Sequence, residues 1–253
     1  LGLPGSARWL ATVSSVAELQ DLLRDARFAG LPRRVLGGGS NIVPAGGEVQ
    51  ALVLQLAMRN WRVLSREGSR ALVEAEAGLP WHELVTACVD AGLGGIENLA
   101  LIPGSTGAAP VQNIGAYGVE LASVLVDVDV VDLRDGSRRR IARDDCALGY
   151  RDSLFKHDPE LAIVSLRLQL DAEAPLQTAY RDLQEELAAR GNPVPDHRLV
   201  YGMVCAIRRR KLPDPAVTGN AGSFFKNPVV DAAAFAALQQ CFPDIAAWPQ
   251  ADG

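Results

Sequence analysis

The chain has 253 residues, of which 48% are hydrophobic and 22% are charged. This composition excludes an intrinsically disordered polypeptide and is typical of one large or two to three small globular domains. Thirty acidic and 25 basic side chains give a net charge of −5, which argues against nucleic acid as a partner. The apolar runs are too short to cross a bilayer and none opens the chain as a signal peptide, so we expect a cytoplasmic protein without membrane contact.

The cysteines and histidines do not form a recognisable site. Four cysteines lie far apart without a C-x-x-C pair, and three histidines are equally scattered, so neither a metal site nor a redox dithiol is expected. We expect structural roles for His82, His157 and His197, since none has a hydrolase partner at a motif spacing. The sequence begins at Leu1 without Met and stops in a turn-like tail, which we interpret as a piece of a longer protein.

The first sixty residues predict a small β-α-β-β layer. A β-favouring run at 8–13 precedes Ser15 and Glu18, whose spacing is that of a capping box at the start of a helix. Residues 33–36 and 51–56 are predicted strands.

Helices and strands alternate in the next part of the chain. Pro80 begins a predicted helix that Gly92 ends. Residues 219–253 are too short to own a core and are interpreted as the incomplete start of a further domain. The other predicted elements are strands at 71–77, 124–133 and 161–170, the last two with one wet face, and helices at 176–189 and 199–211.

Two glycine-rich regions are candidates for ligand contact. The loop at 37–41 fails the dinucleotide fingerprint because Ile42 stands where glycine is required, and on its own it favours a plain β-turn. In 103–110 no side chain is larger than Thr, and a long bare backbone of this kind predicts close contact with a flat, bulky cofactor. Because neither region contains Lys or Arg, we expect backbone dipoles to hold any diphosphate.

Three further motifs leave two interpretations open. Arg151 in 149–153 can pair with a carboxylate through its planar fork, or can make a surface contact with Asp152. The cations of 208–211 are sufficiently explained as favourable charges at a helix C-terminus. The hydroxyl of Ser223, flanked by glycine and aromatic residues, fits either a confined cavity or a simple turn.

Five strings in order along the chain together resemble one family. They are LGGGSN at 36–41, NLALIPG at 98–104, QNIGAYG at 112–118, GYRDS at 149–153 and GSFFKNP at 222–228. The set resembles the UDP-N-acetylenolpyruvoylglucosamine reductase (MurB) family, flavoenzymes of bacterial peptidoglycan synthesis.

The resemblance implies an α+β fold with a two-part FAD-binding unit of the vanillyl-alcohol-oxidase type and a truncated α/β substrate-binding domain. The implied domains are FAD-binding subdomain 1 at 1–57, FAD-binding subdomain 2 at 58–211, and the incomplete substrate-binding domain at 212–253. The family also carries a catalytic Glu near its C-terminus, and this chain ends before any position that could match it.

The resemblance also implies the site residues, with no metal among the ligands. Arg151 matches the residue that stabilises negative charge, and Ser223 matches the proton donor. Tyr150, Tyr180, Lys211 and Asn227 match positions near the substrate, with an exposed helical aromatic as the equal alternative for Tyr180. The residues implied to contact FAD are Gly37, Gly38, Gly39, Ser40, Asn41, Ile102, Pro103, Gly104, Ser105, Gly107, Ala108, Val111, Asn113, Ile114, Gly115 and Arg208.

The reaction implied is the NADPH-dependent reduction of UDP-N-acetylglucosamine enolpyruvate to UDP-N-acetylmuramate. In this family NADPH reduces FAD, hydride passes from flavin N5 to C3, and C2 takes a proton. The only implied partner is the small sugar nucleotide, and we expect a monomer. Two alternatives remain: a flavin-binding or sugar-nucleotide-binding fragment without activity, and an FAD oxidase of the same fold.

Overall fold

A computed structural model describes residues 3–215, 217–221 and 224–248. The chain forms two compact units, one reaching to Ala221 and the other beginning at Gly222. The boundaries expected at residues 57 and 211 stay predictions. The described residues contain no helix with the length and apolar character that a bilayer crossing requires.

Helices and strands occur in comparable amounts, which confirms the predicted α+β class. The strands are β1 (Ser6–Val13), β2 (Arg33–Leu36), β3 (Glu48–Leu56), β4 (Trp61–Glu67), β5 (Arg70–Glu76), β6 (Gly115–Ala116), β7 (Val119–Glu120), β8 (Leu125–Asp132), β9 (Arg138–Ala142) and β10 (Leu161–Asp171). The helices are α1 (Val16–Arg24), α2 (Trp81–Asp90), α3 (Leu154–His157), α4 (Arg181–Ala189), α5 (His197–Lys211) and α6 (Ala232–Cys241).

The first layer is a parallel sheet in the order β1-β3-β2 with α1 packed against it. Ser15 caps α1 as predicted, since its hydroxyl accepts from the Glu18 amide at 3.1 Å while the Glu18 carboxylate accepts from the Ser14 amide at 2.7 Å. The helix ends just before Asp25, whose carboxylate caps a following 3₁₀ turn through the Arg27 amide at 2.9 Å. The predicted β-α-β-β order is confirmed.

The second layer is an antiparallel sheet in the order β4-β5-β10-β8-β9. One face packs against α2, α4 and α5 in the larger hydrophobic core. The pairing register of the central strand β10 shifts between Ile163 and Ser165, so the side chains that follow change faces. Ala162, before the shift, and Val164, at the shift itself, pack against the first layer in a second core.

Beyond that shift the same face of the sheet carries charged residues, and the prediction that it is wet is wrong there. Arg167 and Asp129 are only 6% and 4% exposed. Arg167 Nε donates to Asp127 Oδ1 at 2.6 Å, and Arg138 Nη2 donates to Asp129 Oδ2 at 2.8 Å. Burial is tolerated because the charges are paired and hydrogen-bonded. This charge row comprises Arg62, Glu74, Arg167, Asp127, Asp129, Arg138 and Arg140.

Several parts of the chain differ from the sequence prediction. Strands β4, β6, β7 and β9 and helices α3 and α6 were not predicted, and the predicted helix at 176–189 begins only at Arg181. Residues 176–180 stay non-helical because the carbonyl oxygen of Gln177 accepts from Asn98 Nδ2 at 2.8 Å. Tyr180 therefore lies at the N-cap of α4, just outside the helix, and is 41% exposed.

The second compact unit contains α6 and the aromatic pair of Phe224 and Phe225. The Asp231 carboxylate caps α6 by accepting from the Ala234 amide at 2.8 Å. The two phenyl rings pack edge to face with centroids 5.1 Å apart.

Replacing Arg167 by Met should lower the free energy of unfolding by about 3 kcal/mol, because it removes the buried cation shared by three carboxylates. Urea unfolding measures the change. Arg62→Met is the matched control: this residue lies in the same charge row but its side chain is 70% exposed, so the loss should stay below about 1 kcal/mol. Equal effects of the two substitutions would contradict a buried network.

Candidate functional site

A cavity of the first unit lies where the two glycine-rich regions meet. Its volume is about 330 Å³, which is within the range of small-molecule sites. The predicted cofactor residues that line it are Gly37, Gly38, Gly39, Ser40, Asn41, Ile102, Pro103, Gly104, Ser105, Gly107, Ala108, Val111 and Ile114. Other lining residues include Arg34, Trp81, Gln112, Phe155, Lys156 and Ile163.

The two glycine-rich loops approach each other too closely for larger side chains. A β-carbon at Gly37 would lie 2.9 Å from Ser105 Oγ, and one at Gly104, whose φ is +116°, would lie 3.3 Å from Ser40 Oγ. Asn41 Nδ2 joins the loops by donating to Gln112 Oε1 at 2.9 Å. The small residues therefore allow one continuous cavity wall to form from segments far apart in sequence.

The second glycine-rich loop is also fixed to the segment that leads into α2. The Gly107 amide donates to the Ala77 carbonyl at 2.9 Å, and the Thr106 amide donates to the Leu79 carbonyl at 2.8 Å. A β-carbon at Gly107 would lie 2.5 Å from that of Ala77, a distance that real structures do not show. The position requires glycine because of packing.

Two cations in the cavity wall were missed by sequence analysis. Arg34 lies in β2, the strand that leads into the first glycine-rich loop, and Lys156 lies in α3. The expectation that backbone dipoles alone face a diphosphate is therefore incomplete. Lys156 follows the 149–153 string closely in the sequence. No pattern in the sequence indicates that α3, which contains it, approaches the glycine-rich loops.

Arg151 lies in a tight loop beside the cavity. Its backbone is left-handed, with φ of +54°, and its guanidinium Nη2 donates to the Gly115 carbonyl at 3.1 Å. The Lys156 ammonium donates to the Arg151 carbonyl at 3.1 Å. The guanidinium carbon lies 5.8 Å from the centre of the Tyr150 ring. These contacts hold a permanently charged fork next to the cavity wall.

Two of the predicted cofactor residues support the wall without lining the cavity. Asn113, with φ of +41°, donates from Nδ2 to the Gly149 carbonyl at 3.2 Å and accepts from the Ala122 amide at 3.0 Å. Gly115 belongs to the β6–β7 hairpin and contacts Arg151 through its carbonyl oxygen. Both residues connect the cavity wall to the Arg151 loop.

Arg208 also lies outside the cavity lining, in a cluster with four other residues, which we call the tyrosine cluster. Tyr117 packs edge to face on Tyr180 with ring centroids 5.4 Å apart, and Lys211 Nζ donates to the Asp182 carboxylate at 2.7 Å. The Arg208 guanidinium lies beside the Tyr117 phenol, and burial lowers its pKa. Its buried Nε has no hydrogen-bond partner among the described residues. Sequence analysis did not select Tyr117.

Ser223 lies outside the described residues, and Asn227 is exposed in the second unit. Their predicted roles stay predictions.

The residues present fit a large, flat and anionic cofactor. Trp81, Ile102, Val111 and Phe155 supply apolar surface, while backbone amides, two serine hydroxyls and two cations supply polar contacts.

A family profile described as "FAD binding domain" matches residues 7–142. Among solved structures, MurB from Thermus caldophilus superposes with a TM-score of 0.63 at 27% identity, covering 87% of this chain and 68% of that protein. A 6-hydroxy-D-nicotine oxidase from Arthrobacter nicotinovorans superposes with a TM-score of 0.50 at 20% identity, covering 67% of this chain and 38% of the oxidase, which shows the fold alone. The chain contains an FAD-binding domain.

Substituting Gly107 by Ala should reduce the ratio of bound flavin to protein severalfold. The added β-carbon meets the backbone of Ala77 and forces the cavity wall to move. Flavin absorbance relative to protein absorbance in the purified variant measures the effect. Gly202→Ala in α5 is the control, since nothing lies within 4 Å of its new β-carbon, and its flavin content should be unchanged. Full flavin content in Gly107→Ala would show that the wall tolerates the shift.

Curated relatives match along the whole chain. A protein of Pseudomonas aeruginosa is 48% identical over 253 residues, and one of Paraburkholderia xenovorans is 44% identical over 256 residues; this chain spans 74% of each. Both are named UDP-N-acetylenolpyruvoylglucosamine reductase. The chain therefore belongs to the UDP-N-acetylenolpyruvoylglucosamine reductase (MurB) family.

Proposed function

We propose that this chain reduces the enolpyruvyl ether of UDP-N-acetylglucosamine to the lactyl ether of UDP-N-acetylmuramate, with NADPH as the hydride donor. The reaction belongs to peptidoglycan precursor synthesis and takes place in the cytoplasm, with the protein as a monomer. The observation that carries the proposal is 48% identity over the whole chain to a relative named for this activity. The cavity and the Arg151 loop support it.

FAD is the proposed cofactor between subdomains 1–57 and 58–211. When bound, it supplies the hydride chemistry that links NADPH to the substrate. The first glycine-rich loop and residues 102–115 would hold it through amides and hydroxyls, and Arg34 and Lys156 would supply positive charge to its diphosphate. Arg208, whose buried Nε has no partner among the described residues, is proposed to contribute a further donor from the tyrosine cluster.

Arg151 is the proposed stabiliser of negative charge. Addition of hydride to C3 of the enolpyruvyl group leaves an electron pair on C2 that is delocalised into the neighbouring carboxylate. A guanidinium stays protonated at all relevant pH values and pairs with a carboxylate through two parallel bonds. Its contact with the Gly115 carbonyl and the anchored loop beneath it limit reorganisation during the reaction.

Ser223 is the proposed proton donor to C2. A hydroxyl is a weak acid, but an enolate-like carbanion is a strong base, and orientation at close range lowers the barrier. The proton passes from the hydroxyl to C2, and solvent restores it.

Four residues are proposed to hold the sugar nucleotide. Tyr150 lies beside the Arg151 guanidinium, and Tyr180 and Lys211 lie together in the tyrosine cluster. Asn227 is proposed to contribute from the start of the substrate-binding domain, at 212–253.

Mixing the flavin-loaded protein with NADPH under anaerobic conditions should bleach the flavin absorbance, and UDP-N-acetylglucosamine enolpyruvate should restore it. Stopped-flow absorbance separates the two half-reactions. Bleaching without restoration by the substrate would identify a binding fragment that lacks turnover. Oxygen consumption with an alcohol, in place of substrate-dependent NADPH oxidation, would identify an oxidase.

Replacing Arg151 by Lys should slow restoration of the flavin by the substrate about 100-fold while leaving bleaching by NADPH unchanged. Lysine keeps the charge but loses the planar fork. The same stopped-flow measurement reports both rates. Arg143→Lys is the control, because Arg143 is half exposed and, among the described residues, forms an ion pair with the neighbouring Asp144 alone. Equal slowing of both half-reactions would exclude the assigned role.

A further inference from the structure

The N-terminus of α2 holds the segment that enters the second glycine-rich loop at three points. Trp81 Nε1 donates to the Leu99 carbonyl at 2.9 Å, and the Trp81 amide donates to the Gly104 carbonyl at 3.0 Å. Between them, the Leu101 amide donates to His82 Nδ1 at 3.2 Å. The His82 contact is the one of these three that a proton can break.

Leu101 needs such a contact because its backbone is left-handed, with φ of +56°. A residue other than glycine rarely adopts this conformation unless its surroundings impose it. The next four residues, 102–105, all line the cavity. The conformation of Leu101 therefore sets the position at which the cavity wall begins.

The surroundings of His82 fix both its ring and its protonation state. The ring stacks on Tyr201 with centroids 5.8 Å apart and planes inclined by 12°. Thr86 Oγ1 donates to the His82 carbonyl at 2.8 Å and lies 2.9 Å from the Tyr201 hydroxyl. Because the Thr86 hydroxyl has one proton to donate, the Tyr201 hydroxyl must be the donor in the second bond. Because Nδ1 accepts a hydrogen bond, the ring proton must be on Nε2.

Charged groups on two helices act on this imidazole. Burial lowers the pKa of His82 most strongly, and Arg209 and Arg208 of α5 lower it further. Glu83, on α2 itself, opposes them but is paired with Arg59 at 3.0 Å. The neutral form that can accept from Leu101 is therefore the form present at pH 7.

We propose that His82 is a positioning residue for the flavin: as a neutral acceptor at Nδ1 it holds Leu101 in its left-handed conformation and so fixes the 102–105 wall of the FAD cavity. The inference rests on FAD as the occupant of this cavity. It does not depend on the identity of the substrate.

The consequence for pH has a definite sign. A proton on Nδ1 turns the acceptor into a donor that faces the Leu101 amide, and the contact is lost. A histidine whose folded pKa is lowered contributes fully above about pH 6.5, the ordinary value, and its contribution is lost as pH falls toward the lowered pKa. We expect flavin to be held less tightly as pH falls from 7.5 toward and below the lowered pKa of His82.

Flavin release from the loaded protein tests this inference. The rise in free FAD fluorescence on serial dilution gives the dissociation constant at pH 7.5 and pH 5.5. His82→Phe keeps a flat ring over Tyr201 but has no acceptor, and should weaken FAD binding about 5- to 10-fold at pH 7.5. His82→Asn places a carbonyl oxygen near the position of Nδ1, and should retain tight binding without the change at pH 5.5.

Tyr201→Phe is the matched control, because it keeps the stacked ring and removes only the hydroxyl. It should bind FAD as tightly as the parent protein and keep the same response to pH. Wild-type affinity in His82→Phe at both pH values would overturn the proposal, as would a pH response that survives in His82→Asn.

Imidazole ¹⁵N NMR of the unaltered loaded protein keeps the inference testable if His82→Phe does not fold. The His82 signals, assigned by their loss in His82→Asn, should show a protonated Nε2 and an accepting Nδ1. A proton on Nδ1 at pH 7.5 would overturn the proposal. If the unaltered protein fails to turn over the substrate but flavin release follows the expected pattern, the proposed reaction is rejected. The proposed role of His82 then still holds.

Discussion

The close contact of two backbone segments determines the rest of this structure. The Gly107 amide reaches the Ala77 carbonyl at 2.9 Å, and there is no room for a β-carbon between the two segments. Once the second glycine-rich loop is fixed there, its free edge faces Gly37 and its neighbours, and the cavity is the space that remains. Packing interactions in protein interiors leave few voids larger than water, so a cavity of this size is maintained by rigid walls. Hydrogen bonds from α2 and the hairpin at Gly115 supply that rigidity.

Local sequence signals predicted most of the regular structure, and tertiary contacts explain the exceptions. Ser15 and Gly92 mark helix ends that are determined by residues within the same short segment of the chain. Strand β9 carries three consecutive arginines, and no local pattern reveals that Asp129 across the sheet accepts two of them. The first turn of the helix predicted at 176 is absent because Asn98, far away in sequence, takes the carbonyl oxygen of Gln177.

The candidate site shows the same division. The ordered strings located the loops that form the cavity wall, yet they combine residues that face the cavity with residues that only shape the backbone, such as Asn113. Lys156 and Trp81 line the cavity because the chain path returns α3 and α2 to it, which periodicity cannot reveal. The order of the motifs therefore predicts part of a cavity wall that is built from distant segments. The charged residues of that wall become known only from the fold.

The shift of register in β10 has a consequence for how the first unit comes apart. Because Ala162 and Val164 belong to the core shared with the first layer while Leu166 and Leu168 belong to the larger core, one strand is a structural member of both. Detaching the first layer would strip apolar cover from the centre of the five-stranded sheet, which is strongly unfavourable in water. Separating the two layers would therefore expose apolar residues of both cores, so we expect them to unfold together as one cooperative unit.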